Sequence, residues 1–137
     1  MTATEFATRP FPLPEHLWPQ VREVVMTFLH AHPVKTFEAM LGVASVDHPD
    51  CDDGGWRPRE ITIDQLPDLI REYEACGYRF GHDDLYLIGD GGEAFTVLFC
   101  HEGDLHFTTP HEALLTEMTA ALAAVGVHWN RRADRLP

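Results

Sequence analysis

The chain is short of cysteine, of base and of long apolar runs, and each shortage excludes something. Three cysteines, Cys51, Cys76 and Cys100, are an odd number with wide spacing. Neither a disulfide framework nor a CxxC zinc knuckle is therefore available, and free thiols in a reducing compartment are expected. No apolar run approaches the roughly 20 residues of a membrane span. The opening MTATEFATRPFPLP lacks the basic-then-apolar order of a signal peptide, so cytoplasmic residence is the expectation. Lysine and arginine together number 10 against 22 aspartates and glutamates, a net charge of −12. That balance repels nucleic acid and anionic membranes, both of which are bound through their phosphates.

What is present fits one folded domain spanning residues 1–137, with 45% hydrophobic and 23% charged residues. Residues 1–13 read as an extended, proline-interrupted N-terminal segment and 127–137 as a C-terminal tail. The acid is concentrated in the middle of the chain. Between Asp47 and Asp104, fifteen acids face only Arg57, Arg59, Arg71 and Arg79.

Periodicity sets the elements. Leu17, Val21, Val24, Val25, Phe28 and Leu29 share one helical face, with Pro19 in the first turn and Pro33 ending the helix. Phe37, Ala39, Leu41 and Val43 alternate as a strand. DHPDCDDGGWRPR reads as a loop and EITI (60–63) as a short strand. A helix with Asp64 as N-cap follows, carrying the stripe Leu66, Leu69, Ile70 and Tyr73, with Gly77 as its stop. Leu85–Ile88, Ala94–Cys100 and Leu105–Thr108 form a meander. The last helix reads as capped by a Thr109/Glu112 box with Pro110 at its first position, buries Leu114, Leu115, Met118, Leu122 and Val125, and closes at Gly126. The expected class is α+β: a mostly antiparallel sheet of four or five strands, with about three helices packed on one face.

Gly89-Asp90-Gly91-Gly92 is the one stretch that invites a phosphate. A phosphate cradle needs backbone N–H groups at a helix N-terminus and usually a lysine or arginine. Here the glycines lead into a β pattern, with Asp90 and Glu93 beside them, so the loop reads as a hairpin corner.

Metal and catalytic motifs are equally weak. Among the nine histidines the densest set is His101, His106 and His111. The spacing is not H-E-x-x-H, and a surface role is favoured. The acidic run at 47–55 does not match a calcium loop. Cys100 and His101 are neighbours on a strand and point to opposite faces, so they form no dyad. No catalytic residue, cofactor or metal is expected.

Without chemistry, charge is the sharpest feature. LYLIGDGGEAFTVLF followed by GDLHFTTPHEALLTEM resembles the hairpin and closing helix of the SUKH family. Many members of that family are immunity proteins that neutralise bacterial toxins passed between competing cells. The resemblance covers the last third of the chain. It implies a non-enzymatic antitoxin that occludes the active site of a cognate, basic toxin domain. The expected contact residues are Asp47, Asp50, Asp52, Asp53, Trp56, Asp83, Asp84, Asp90 and Glu93, with carboxylates standing in for substrate phosphates. The alternative is a small metal-dependent enzyme or metal-binding domain using His101 and His106.

Overall fold

The computed structural model describes residues 4–52 and 55–131, apart from the side chains of residues 52, 55 and 56. Its elements are β1 (Thr4–Arg9), α1 (Trp18–Ala31), β2 (Phe37–Leu41), β3 (Cys51–Asp52), β4 (Gly55–Trp56), β5 (Arg59–Glu60), α2 (Leu66–Ala75), β6 (Leu85–Gly89), β7 (Phe95–Phe99), β8 (Leu105–Thr109), α3 (Glu112–Ala123) and β9 (His128–Arg131). The main sheet has seven strands in the order β5-β2-β6-β7-β8-β1-β9. Every pairing in it is antiparallel. β3 and β4 form a small separate hairpin inside the stretch read as loop.

The α+β class and the three helices agree with the sequence reading; the strand number is corrected from four or five to seven. The two additional strands are terminal. β1 lies between β8 and β9, pairing Thr4 with Thr109 and Arg9 with His128. Its Ala7 and Thr8 are both fully buried. A strand covered on both faces shows no alternation, and its partners lie about a hundred residues away, so no local pattern announces it.

One face of the sheet carries the core. Phe37, Ala39 and Leu41, Leu85 and Leu87, Phe95, Val97 and Phe99, and Leu105 and Phe107 alternate inward along four strands. They join Val25, Phe28 and Leu29 of α1, Leu69 and Tyr73 of α2, and Met118 and Leu122 of α3 in a single cluster. Phe28 is the pivot, meeting Phe95 at 5.6 Å and Phe107 at 5.5 Å edge-on. Burying each such side chain contributes about 1.5–3 kcal/mol.

Two helix starts differ from expectation. α2 is entered through a 3₁₀ turn, Ile63–Gln65, in which Gln65 Oε1 accepts the Thr62 N–H at 2.9 Å. Thr62 therefore precedes the turn, and Asp64 is exposed rather than capping. α3 begins at Glu112 with His111 as N-cap. Thr109 Oγ1 donates to the Ala94 carbonyl and accepts the His111 N–H instead of forming a capping box. The strand at EITI is confined to its first residue, as β5 ends at Glu60.

The glycine loop is a hairpin corner joining β6 to β7. Asp90, Gly91 and Gly92 all take positive φ. Gly89 is required for a different reason: a Cβ there would lie 2.7 Å from the Phe95 ring, inside the core.

Candidate partner-binding surface and a buried polar cluster

The acids singled out in the sequence fall into two groups. Asp83 and Asp84 are buried, at 4% and 3% exposure. Asp83 accepts the Ser45 N–H at 2.9 Å and the Arg79 N–H at 2.8 Å. Asp84 Oδ2 accepts the Val43 N–H at 3.0 Å. Its Oδ1 accepts the His101 N–H at 2.6 Å and lies 2.9 Å from His101 Nδ1. These two carboxylates fasten three loops to the end of the sheet. They are placed inside the fold, so no exposed face includes them.

Asp90 is half-buried, and its Oδ1 accepts the Lys35 and Thr36 N–H groups at 2.9 and 3.0 Å, pinning the corner to the chain entering β2. Asp50 is half-buried as well. Its Oδ2 accepts the Tyr73 hydroxyl at 2.7 Å and meets Arg59 at 2.8 Å. Burial and the Asp50 contact push the Tyr73 phenol well above its usual range. Asp47 and Glu93 are exposed, the first in the loop after β2 and the second between β6 and β7. Asp53 lies outside the described residues, as do the side chains of Asp52 and Trp56.

Folding assembles a different acidic stretch, along α2. Asp64, Asp68 and Glu72 recur every four residues from the turn preceding the helix and share one flank. Their side chains are 90%, 80% and 49% exposed. Asp47 is delivered to the far end of this flank, because its N–H donates to the Cys76 carbonyl just beyond the helix. His48 adds to the attachment, its Nε2 lying 2.6 Å from Glu72. Arg71 pairs with Asp68, Arg59 with Glu72 at 3.5 Å, and Arg22 with Glu74 at 3.9 Å. The i, i+4 spacing was readable in the sequence. What brings Asp47 alongside is a tertiary contact and was not.

The second assembly lies where β7 and β8 turn. On the sheet face away from the core, register places Met40, Tyr86, Leu98, His106 and Ala7 in one cross-strand row. The next row holds Asp84, Cys100 and Asp104, with the Cys100 N–H donating to the Asp104 carbonyl at 2.8 Å. Cys100, Asp104 and His106 are exposed by 3%, 0% and 3%. His106 Nε2 lies 3.0 Å from Asp104 Oδ2, and its Nδ1 lies 3.3 Å from Glu5 Oε2. Burial works against the imidazolium, but contacts with Asp104, Cys100 and Glu5 outweigh it and hold the His106 pKa up at about 11. His101 is exposed and belongs with Asp84. His111 sits at the start of α3 with its Nε2 3.0 Å from the Glu93 carbonyl. His101 and His106 thus lie in two groups that share Cys100, while His111 is engaged elsewhere.

Tyr78 is 3% exposed and packs edge-on against Phe80 at 5.1 Å. Its hydroxyl meets no hydrogen-bond partner among the described residues. Burial, together with Asp83 and Asp84, pushes its phenol well up. Tyr78→Phe is expected to keep or raise stability, by up to about 1 kcal/mol, because it deletes a buried hydroxyl that gains nothing. Urea unfolding checks this, and a loss above about 1 kcal/mol would show that the hydroxyl is engaged.

No helix of the described residues is long and apolar enough to cross a membrane. No family model, no curated protein and no solved structure matches the chain.

Proposed function

We propose that the protein is an immunity-type binding protein that occludes the active site of a cognate bacterial toxin by presenting an acidic flank to a basic cleft. The observation that carries this reading is the exposed flank of Asp64, Asp68, Glu72 and Asp47 along α2. Asp68 lies in the first turn of α2 and Asp64 in the turn before it, where the helix dipole favours acids. Arg71, Arg59 and His48 partly offset Asp68 and Glu72, so it is the exposure of these carboxylates that offers them to a basic partner. The net charge of −12 adds long-range attraction, which raises association rates toward the electrostatically steered regime.

In this reading the carboxylates occupy the positions of the phosphates in the toxin's nucleic acid or nucleotide substrate, and the protein transforms nothing itself. The β6–β7 hairpin with its Gly-Asp-Gly-Gly corner supports a SUKH-like assignment, and a cytoplasmic setting is where a delivered toxin would be met.

The test is protection. The product of the adjacent reading frame is expressed with and without this protein in a host that lacks both. Rescue of growth together with a stoichiometric complex supports the reading. A neighbouring product that neither harms the host nor binds the protein overturns it.

A further inference from the structure

We infer that Cys100, Asp104 and His106 form a binding site for a single divalent transition-metal ion of the zinc class. The residues offer one sulfur, one oxygen and one nitrogen, and these ligand atoms all lie within 4.8 Å of one another. A tetrahedral zinc, with ligand bonds of about 2.0–2.3 Å, places its ligand atoms roughly 3.3–3.7 Å apart. The cluster therefore needs only sub-ångström to ångström adjustments of its side chains.

Three features prepare these groups for a metal. First, the hairpin fixes them. Cys100 and Asp104 face each other across the His101–Gly103 turn, where Gly103 takes a φ of +95°. His106 follows two residues along β8 and so points to the same side. Second, the imidazole is oriented. Glu5 Oε2 accepts a hydrogen bond from Nδ1–H at 3.3 Å, so Nε2, 3.0 Å from Asp104 Oδ2, is the nitrogen left to ligate a metal once its own proton has gone. A carboxylate on the outer nitrogen of a ligating histidine is the arrangement that fixes tautomer and raises basicity in metal sites. Third, the Glu102 N–H points at Cys100 Sγ from 3.5 Å, an outer contact that holds the sulfur in place on the inner side of the turn.

A metal takes sulfur as thiolate and nitrogen as neutral imidazole, so binding at this set is expected to release protons and to strengthen as pH rises. A mixed sulfur, nitrogen and oxygen set suits zinc, which has no geometric preference of its own. The neighbouring set of Asp84, Cys100 and His101 is the weaker candidate. Both Asp84 oxygens already accept backbone N–H groups, from Val43 and His101, and those bonds would compete with a metal. The site is independent of the proposed toxin-binding flank.

The experiment is a cobalt(II) titration of the full chain, produced without a polyhistidine tag and stripped with chelator. Cobalt reports tetrahedral geometry in its visible bands and a thiolate ligand in a near-ultraviolet charge-transfer band. One equivalent is expected to bind, to show both features, and to be displaced by zinc. Cys100→Ser should abolish the charge-transfer band and weaken binding at least tenfold, whereas Cys76→Ser should leave both features intact. Glu5→Gln should weaken binding about 10- to 100-fold while keeping the band. No stoichiometric binding by the unaltered protein overturns the site, as does a charge-transfer band that survives in a folded Cys100→Ser variant. Neither result bears on toxin protection, so the two proposals fail separately.

Discussion

Asp84→Ala lowers the unfolding free energy by about 3 kcal/mol. The reason is the number of donors it leaves stranded. Asp84 takes the Val43 N–H on one oxygen and the His101 N–H on the other, at a site 3% exposed. Each partly buried N–H left without an acceptor costs about 1–3 kcal/mol. The carboxylate is packed tightly against Gly42, where an added Cβ would come within 2.8 Å of Asp84 Oδ2. Asp84→Asn is expected to cost nearly as much, since its amide would set a donor against one of the two N–H groups. Asp47→Ala, at an exposed position, should change stability by less than about 0.5 kcal/mol. The measurement is urea unfolding with an unchanged m-value. A loss below about 1 kcal/mol for Asp84→Ala would mean that the loops at 43 and 101 are held by something else.

The contrast between Asp84 and Asp47 also shows what the sequence can and cannot say. Helix and strand patterns are local, so α1, the core stripe of α2 and the β6–β7–β8 meander were all legible. The Gly89–Gly92 corner was legible because its glycines lead into a strand and no cation accompanies them. β1 and β9 were not, because their pairing depends on the two chain ends meeting. Acid content was legible as well, but its exposure was not. In sequence, Asp83 and Asp84 look like the other acids of the middle region. Only the loops folded back over them, from Val43 to Ser45 and at His101, convert them from surface charge into internal fasteners.

The metal-binding set lies between these cases. Cys100, Asp104 and His106 are separated by four residues and by two, and alternation across a tight hairpin puts all three on one side. Reading Cys100 only against its neighbour His101 hid that relation. The histidine that matters is two strand positions beyond the turn, while His101 turns to Asp84. The outer carboxylate, Glu5, comes from β1 and could be found only once that strand was placed.

Reversing charge on the α2 flank is expected to have the largest functional effect. The triple change Asp64→Lys, Asp68→Lys and Glu72→Lys alters the protein's charge by six units on one side of one element. At low salt it should slow association with a basic toxin domain at least tenfold and flatten the dependence of that rate on ionic strength, while dissociation changes less. The pairs lost with Arg71, Arg59 and His30 are exposed and each stabilises by about 1 kcal/mol or less. Glu72 also meets the largely buried His48 at 2.6 Å, so urea unfolding first checks that the variant is folded. The control is an equal change elsewhere: Glu23→Lys, Glu112→Lys and Glu117→Lys, at exposed positions on α1 and α3. Stopped-flow association of both variants with the same partner separates local from global charge. Slowing confined to the α2 variant supports docking through that flank. Equal slowing in both would leave net charge as the steering force and remove α2 from the contact. An unchanged rate in the α2 variant would overturn the acidic-flank mechanism, because attraction between the flank and a basic cleft is what the proposed occlusion depends on.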